Sequence, residues 1–177
     1  MKKSLWPFIL FASVIFLLGR GLLLHPNEIP SPLIGKPAPS FNLPSLFDPE
    51  KNISSHHFLG QVTLFHVWAT WCSACLEEHS TLLQLARQEH ILLYGLDYKD
   101  NAEEAKTWLK QQGNPYQFVI SDTLGNIGMD WGVYGTPESF IIHKRGIIRY
   151  KQIGPITPEI WLNTLKPLVI QLENEQT

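Results

Sequence analysis

The chain has 177 residues, a formal charge of −2 and 44% hydrophobic against 17% charged residues. That is an ordinary globular balance, long enough for one domain with a full core and a short extension, and it lacks the basic footprint of a nucleic-acid binder. Two cysteines three apart exclude a disulfide-stapled scaffold, which needs several pairs closing longer loops; no repeat or low-complexity tract is present.

Met1–Lys2–Lys3 opens the chain with positive charge, Leu5 to Gly19 is almost wholly apolar, and Arg20 precedes a second short apolar run to Leu24. Two readings compete, a cleaved signal peptide and an uncleaved anchor. The first run is short of the roughly 20 residues of a span, but the count through Leu24 reaches it if Arg20 snorkels toward the interface. Leu22–Leu23–Leu24–His25 is a poor cleavage site, so residues 1–24 are read as an N-terminal transmembrane helix. Lys2 and Lys3 then stay in the cytoplasm and the C-terminal part faces the periplasm, as a single-pass protein of a bacterial inner membrane. Residues 25–39 are proline-rich and read as a semi-extended linker, leaving residues 40–177 as the folded domain.

Within that domain Phe41–Leu43 and Asn52–Ser54 suit short edge elements. Val62–Ala69 is a continuous apolar run, as expected of a strand buried on both faces. From Ser73 to Glu89 the apolar spacing suits a helix, and Ile91–Tyr98 is a second buried strand. Asn101 is placed to cap a helix that Gly113–Asn114–Pro115 ends. Phe118–Ser121 is a third strand. Glu138–His143 and Ile147–Gln152 form a hairpin about Lys144–Arg145–Gly146, and Thr157 with Pro158 opens a last helix. Alternation followed by a hairpin implies an α/β domain whose mixed central sheet is flanked by helices. A cysteine pair between the first buried strand and the first long helix fits a thioredoxin-like arrangement.

The pair Cys72–Ser73–Ala74–Cys75 is read as chemistry. The attacking species in disulfide exchange is the thiolate. At a helix N-terminus Cys72 sits beside unpaired N–H groups and the positive end of the macrodipole, both of which favour the anion. Cys75, one turn in, can attack a mixed disulfide formed at Cys72 and release the partner intramolecularly. Such a Cys72–Cys75 bridge is redox-active. Two blander readings stand beside it: an inert bridge, and a zinc site using Cys72, Cys75 and His79, which shares the helix face but leaves the fourth ligand missing.

The surrounding Trp68–Ala69–Thr70–Trp71–Cys72 resembles the membrane-anchored thioredoxin-like proteins of cytochrome c maturation, the CcmG or DsbE family. Further matches are Leu33–Ile34–Gly35–Lys36–Pro37, Tyr98–Lys99–Asp100, Trp108–Leu109–Lys110, Gly113–Asn114–Pro115–Tyr116, Gly132–Val133–Tyr134–Gly135–Thr136–Pro137–Glu138 and Gly146–Ile147–Ile148–Arg149–Tyr150. The resemblance implies a protein-disulfide reductase that acts on the haem-attachment disulfide of apocytochrome c, or on a mixed disulfide with a maturation partner. It implies electrons from a membrane donor of the DsbD or CcdA type, and no cofactor. It also implies that Pro137 is a cis-proline facing the cysteines, and that Glu78, three after Cys75, exchanges a proton with the resolving thiol. Trp71, Thr136 and Glu138 are the expected substrate contacts. Ser73 and Ala74 depart from the family's usual proline and threonine, and His66 and Asp97 stand where asparagine is expected; His66 alone in a core strand reads first as a packed, hydrogen-bonded side chain. Competing functions are a thioredoxin-related peroxidase, a copper- or other metal-binding module of the same fold, and a general periplasmic reductase or oxidase.

Overall fold

The computed structural model describes residues 5–22, 31–89 and 91–175, and the chain falls into two units, Met1–Pro30 and Ser31–Thr177. In the first unit Trp6–Leu22 forms helix α1, 17 residues long. At 1.5 Å per residue it measures about 25 Å, short of a hydrocarbon core of about 30 Å. Among the described residues no helix is long and apolar enough to cross a membrane, so the expected spanning helix is not seen at full length. Lys2, Lys3 and residues 23–30, on which the topology and part of the linker reading rest, lie outside the described residues.

The second unit is built on a five-stranded sheet, β3 (Thr63–Trp68), β4 (Leu92–Tyr98), β5 (Phe118–Asp122), β6 (Glu138–Ile142) and β7 (Ile148–Ile153), in the order β5-β4-β3-β6-β7. A separate antiparallel ribbon of β1 (Asn42–Pro44) and β2 (Asn52–Ser54) lies against β5, where Leu46 donates to the Val119 carbonyl at 2.8 Å. β3, β4 and β5 run parallel, while β6 lies antiparallel to β3 and to β7. The two parallel crossovers pass through α2 (Ser73–Gln84) and α3 (Ala102–Gln112). Both step the same way across the sheet, so the right-handed crossover rule puts both helices on one face.

All six residues of β3 are buried, and their alternation divides the core in two. Leu64 and Trp68 pack with Leu82 of α2, Leu109 of α3 and Leu172 of the C-terminal helix α6 (Lys166–Asn174). Phe65 and Val67 pack on the other face with Phe41, Phe58, Trp131 and Phe140; the Phe65 and Trp131 ring centroids are 4.4 Å apart.

The capping residues act as their chemistry predicts. The Asn101 side chain accepts from the backbone N–H groups of Glu103 and Glu104 at 2.9 and 3.2 Å, and Thr157 accepts from Ile160 at 3.2 Å, with Pro158 opening α5 (Pro158–Ile160). Three features differ from the sequence reading. The helix after the cysteines widens into a π turn over Leu85–Glu89 instead of continuing as α. A five-residue helix, α4 (Asn126–Asp130), lies between β5 and β6; it is too short to carry a periodic pattern. Part of the proline-rich stretch is docked: Gly35 donates to the Ile148 carbonyl at 2.7 Å, Ile148 to Lys36 at 3.0 Å and Ala38 to Gly146 at 2.8 Å, along the sheet edge.

Gly95, opposite His66 in the parallel register, is required by packing. A Cβ there would lie 2.9 Å from Trp68 Nε1 and 3.1 Å from the Tyr116 ring. Those two rings stack with centroids 5.7 Å apart, and neither is the loose end of a flexible chain. Gly95→Ala is expected to cost about 1–3 kcal/mol through overpacking, read as a lowered urea midpoint with an unchanged slope; an unchanged midpoint would show that the aromatic pair yields freely.

Candidate active site

β3 ends at Trp68, and Cys72 is the N-cap of α2 with extended backbone (φ −92°, ψ 107°). The intervening turn is clamped from the loop that follows the neighbouring strand β4. Thr70 donates its backbone N–H to Asp100 Oδ2 at 2.5 Å and its hydroxyl to Oδ1 at 2.9 Å, and Asn101 donates to the same Oδ1 at 2.7 Å. Asp100 therefore ties the approach to the cysteines to the loop that starts α3. The Trp71 indole donates to the Lys99 carbonyl at 3.2 Å, and Lys99 adopts a left-handed conformation, φ 51°.

Cys72 and Cys75 form a disulfide, S–S 2.16 Å, with Cα atoms 5.3 Å apart. The Cys75 backbone N–H donates to Cys72 Sγ at 3.0 Å. Cys72 is 6% exposed and Cys75 2%, so an incoming group reaches Cys72 first. Trp71, 58% exposed, stands at the surface beside them. It borders a groove of about 560 Å³ shared with Thr70 and with Glu104, Thr107 and Trp108 of α3.

The Thr136–Pro137 peptide is cis. Val67 of β3 pairs with Glu138 of β6, so Pro137, one residue earlier, lies beside the exit of β3 toward Cys72. Glu138, expected as a substrate contact, is only 1% exposed. Its Oε2 lies 2.9 Å from Lys151 Nζ and its Oε1 accepts from the Tyr134 backbone at 3.4 Å. Lys151 in turn donates to the Gly132 carbonyl at 2.8 Å and sits 4.2 Å from the Tyr134 ring centroid. The Glu138 carboxylate therefore braces the loop before Pro137 from within.

The buried face of α2 carries Cys75, Glu78, His79 and Leu82. Glu78 accepts from the Ile156 backbone N–H at 2.5 Å through Oε2 and faces His66 Nε2 at 3.5 Å through Oε1. Burial raises its pKa to about 8, against the pull of the Ile156 N–H. Burial, with His79 nearby, lowers His66 to about 3. Asp97, beside Trp68 in the register, is likewise raised to about 8, first by burial and then by Asp100. His79 Nε2 lies 2.9 Å from the Gly113 carbonyl, and its ring meets Trp108 edge-on at 4.4 Å. That nitrogen is engaged with backbone, and among the described residues no three or more His, Cys, Asp or Glu side chains are grouped as a metal site.

Sequence reasoning missed Asp100 and Lys151. Asp100 directly precedes a helix cap, a position where a carboxylate commonly serves backbone N–H groups. Lys151 left no signal, because a lysine in a strand reads as a solvent-facing residue.

The chain matches the Redoxin family model over residues 33–166. It is 45% identical to the thiol:disulfide interchange protein DsbE of Pseudomonas aeruginosa over 99% of this chain and 98% of that one. The DsbE of Allochromatium vinosum is 42% identical over 97% and 95% of the two chains, and that of Escherichia coli 42% over 94% and 93%. Among solved structures, a secreted thiol-disulfide isomerase from Corynebacterium glutamicum superposes with TM-score 0.65 at 21% identity, covering 75% of this chain and 85% of that one. The thioredoxin domain of a thiol-disulfide oxidoreductase from Bacteroides vulgatus gives 0.64 at 20%, covering 77% and 97%. A cysteine disulfide at a helix cap on a thioredoxin-like sheet defines a thiol–disulfide oxidoreductase. Within that class, the chain belongs to the DsbE family of thiol:disulfide interchange proteins.

The buried carboxyls make stability depend on pH. Because the folded pKa of Glu78 and Asp97 lies near 8, above the ordinary values of 4.5 and 3.8, stability is undiminished below those ordinary values, where both carboxyls are protonated in the folded and the unfolded chain alike. It declines as pH rises toward 8, by no more than about 1.4 kcal/mol per pH unit for each group. Urea unfolding of the oxidised protein between pH 5 and 8 should show this decline, and Glu78→Gln and Asp97→Asn should each flatten it. Parallel curves for wild type and variants would contradict the assignment.

Proposed function

We propose that the protein reduces the disulfide of the haem-attachment motif in apocytochrome c, or a mixed disulfide between that chain and a maturation partner, on the periplasmic side of a bacterial inner membrane. The observation that carries this reading is the Cys72–Cys75 unit at the cap of α2, in a chain alike in sequence to DsbE proteins over nearly its whole length. Residues 1–24 serve as the anchor and the proline-rich stretch after them as the tether. A membrane thiol donor of the DsbD or CcdA type returns the disulfide to two thiols.

In the reduced protein the Cys72 thiolate attacks one sulfur of the substrate disulfide, and the other leaves as a thiolate. This gives a mixed disulfide at Cys72. Cys75 then loses its proton to Glu78, and its sulfur attacks Cys72 Sγ. The second substrate sulfur is expelled, the Cys72–Cys75 bond forms, and two electrons have passed to the substrate. Thr136 and the cis-Pro137 edge, with Trp71 across the motif, receive the substrate backbone.

Cys75→Ser removes the resolving thiol while keeping attack at Cys72. It should accumulate covalent complexes that disappear on adding reductant, with apocytochrome c or a thiol-handling maturation protein among them; Cys72→Ser should trap none. Cells lacking the protein should lose holocytochrome c and regain part of it on addition of a small thiol. A trap filled with unrelated periplasmic proteins, with holocytochrome c at normal levels, would point to a general reductase instead.

The anchor is tested separately. The full chain should stay in the membrane fraction after carbonate washing, and a reporter fused after Thr177 should be active only on the periplasmic side. Release of a shorter soluble form would remove the anchor from the account and leave the exchange chemistry standing.

A further inference from the structure

We propose that His66 is a positioning residue for the resolving step: with Glu78 it forms a buried pair that holds one proton and takes up a second when Cys75 gives up its own. The proposal rests on the reading of Glu78 as the proton acceptor for Cys75.

The geometry comes from three elements. His66 lies in the middle of β3 and Glu78 one turn beyond Cys75 on α2, both essentially unexposed. Each is pinned at its far atom. His66 Nδ1 lies 2.9 Å from Ser139 Oγ on β6, and Glu78 Oε2 accepts from Ile156. Their near atoms, Nε2 and Oε1, face one another at 3.5 Å, and neither has a hydrogen-bond partner among the described residues. Two buried polar atoms without other partners, aimed at each other from separately anchored side chains, are unsatisfied unless a proton lies between them.

The surroundings supply no competing charge at that contact. From β4, Gly95 stands opposite His66 without a side chain, and Asp97, farther along the same face, is held neutral near pH 7 by its burial. The Tyr116 ring stacks on His66 at 5.9 Å, and burial pushes its phenol well above the usual value. His79 on α2 is held neutral by burial, with Nε2 engaged by the Gly113 carbonyl. Ser139 is uncharged, and its neighbour Glu138 is paired with Lys151.

A carboxylic acid that keeps its proton cannot accept another. In this pocket the imidazole aimed at Glu78 removes the difficulty. The Cys75 S–H bond breaks and its proton goes to Glu78, while the proton already on Glu78 moves to His66 Nε2. The electron pair left on Cys75 Sγ attacks Cys72 Sγ and expels the substrate sulfur as a thiolate, which later recovers a proton from solvent as the imidazolium returns its own. Burial, with His79 nearby, lowers His66 to about 3, so the imidazolium exists only while the new sulfur charge accompanies it; thiolate and imidazolium appear together, and the pocket gains no net charge during the step. Without His66, Glu78 must already be ionised, and resolution would follow its raised pKa of about 8.

The test uses the reduced full-length protein in detergent with a fluorescent disulfide peptide in single turnovers from pH 6 to 9. Acid quench and mass spectrometry score formation of the mixed disulfide and release of peptide thiol in the same run. Wild-type release relative to attack should change little across this range. In His66→Asn and His66→Gln it should fall about tenfold per pH unit below about pH 8. Variants that reproduce the wild-type profile overturn the proposal. Glu78→Gln distinguishes the two levels: if it leaves release unchanged while His66→Asn alters it, the acceptor role of Glu78 fails and with it the route proposed here; if it slows release while the His66 variants match wild type, only the His66 proposal fails.

Discussion

Across 3.0 Å the backbone N–H of Cys75 points at the sulfur of Cys72, and the working parts of the molecule are arranged around that contact. A sulfur at the N-cap takes the place that a serine or aspartate oxygen normally fills, accepting from a first-turn N–H that has no partner inside the helix. Ionisation of Cys72 strengthens the bond and places negative charge at the positive end of the helix dipole. The cap holds only if the preceding turn is fixed, and the Asp100 carboxylate fixes it through two hydrogen bonds from Thr70 while a third, from the Asn101 backbone, holds the carboxylate itself. β3, buried along its whole length between β4 and β6, delivers that turn. The antiparallel pairing of β3 with β6 then brings the Pro137 edge to the same place.

Beneath the cysteines the apolar core is interrupted by His66, Glu78 and Asp97, all shielded from water. Burial disfavours the charged form of each, so two carboxyls hold protons near neutrality and the histidine lacks one. The same burial gives the site two acids that can trade protons close to neutral pH, beside an imidazole that it keeps unprotonated at rest. Glu138 is treated differently: it keeps Lys151 within 2.9 Å, and its charge is spent on holding a loop.

How much of this could be read beforehand follows from the range of each interaction. The run Val62–Ala69 announced a central strand because burial on both faces leaves no polar alternation. Asn101 and Thr157 with Pro158 announced helix starts because capping is settled within four residues. Cys72 and Cys75 were legible because their chemistry is local to one turn. What stayed hidden depends on partners distant in sequence. The His66 contact joins β3 to Ser139 and Glu78, the Glu138 ion pair needs Lys151 on the next strand, and the Asp100 clamp reaches back thirty residues to Thr70. The docking of residues 35–38 on β7 belongs to the same class, since its prolines read equally well as a free tether. Helix α4 was missed for lack of length.

The central claim is that Cys72, held at the cap of α2, is the nucleophile and Cys75 the thiol that resolves. Alkylation of the fully reduced protein across pH 5 to 10, with each cysteine followed by peptide mass spectrometry, tests it most directly. Cys72 should be labelled first, with an apparent pKa below the free value of about 8.5, while Cys75 remains unreacted until higher pH. Labelling of Cys75 ahead of Cys72, or the two titrating together at the free value, would contradict it.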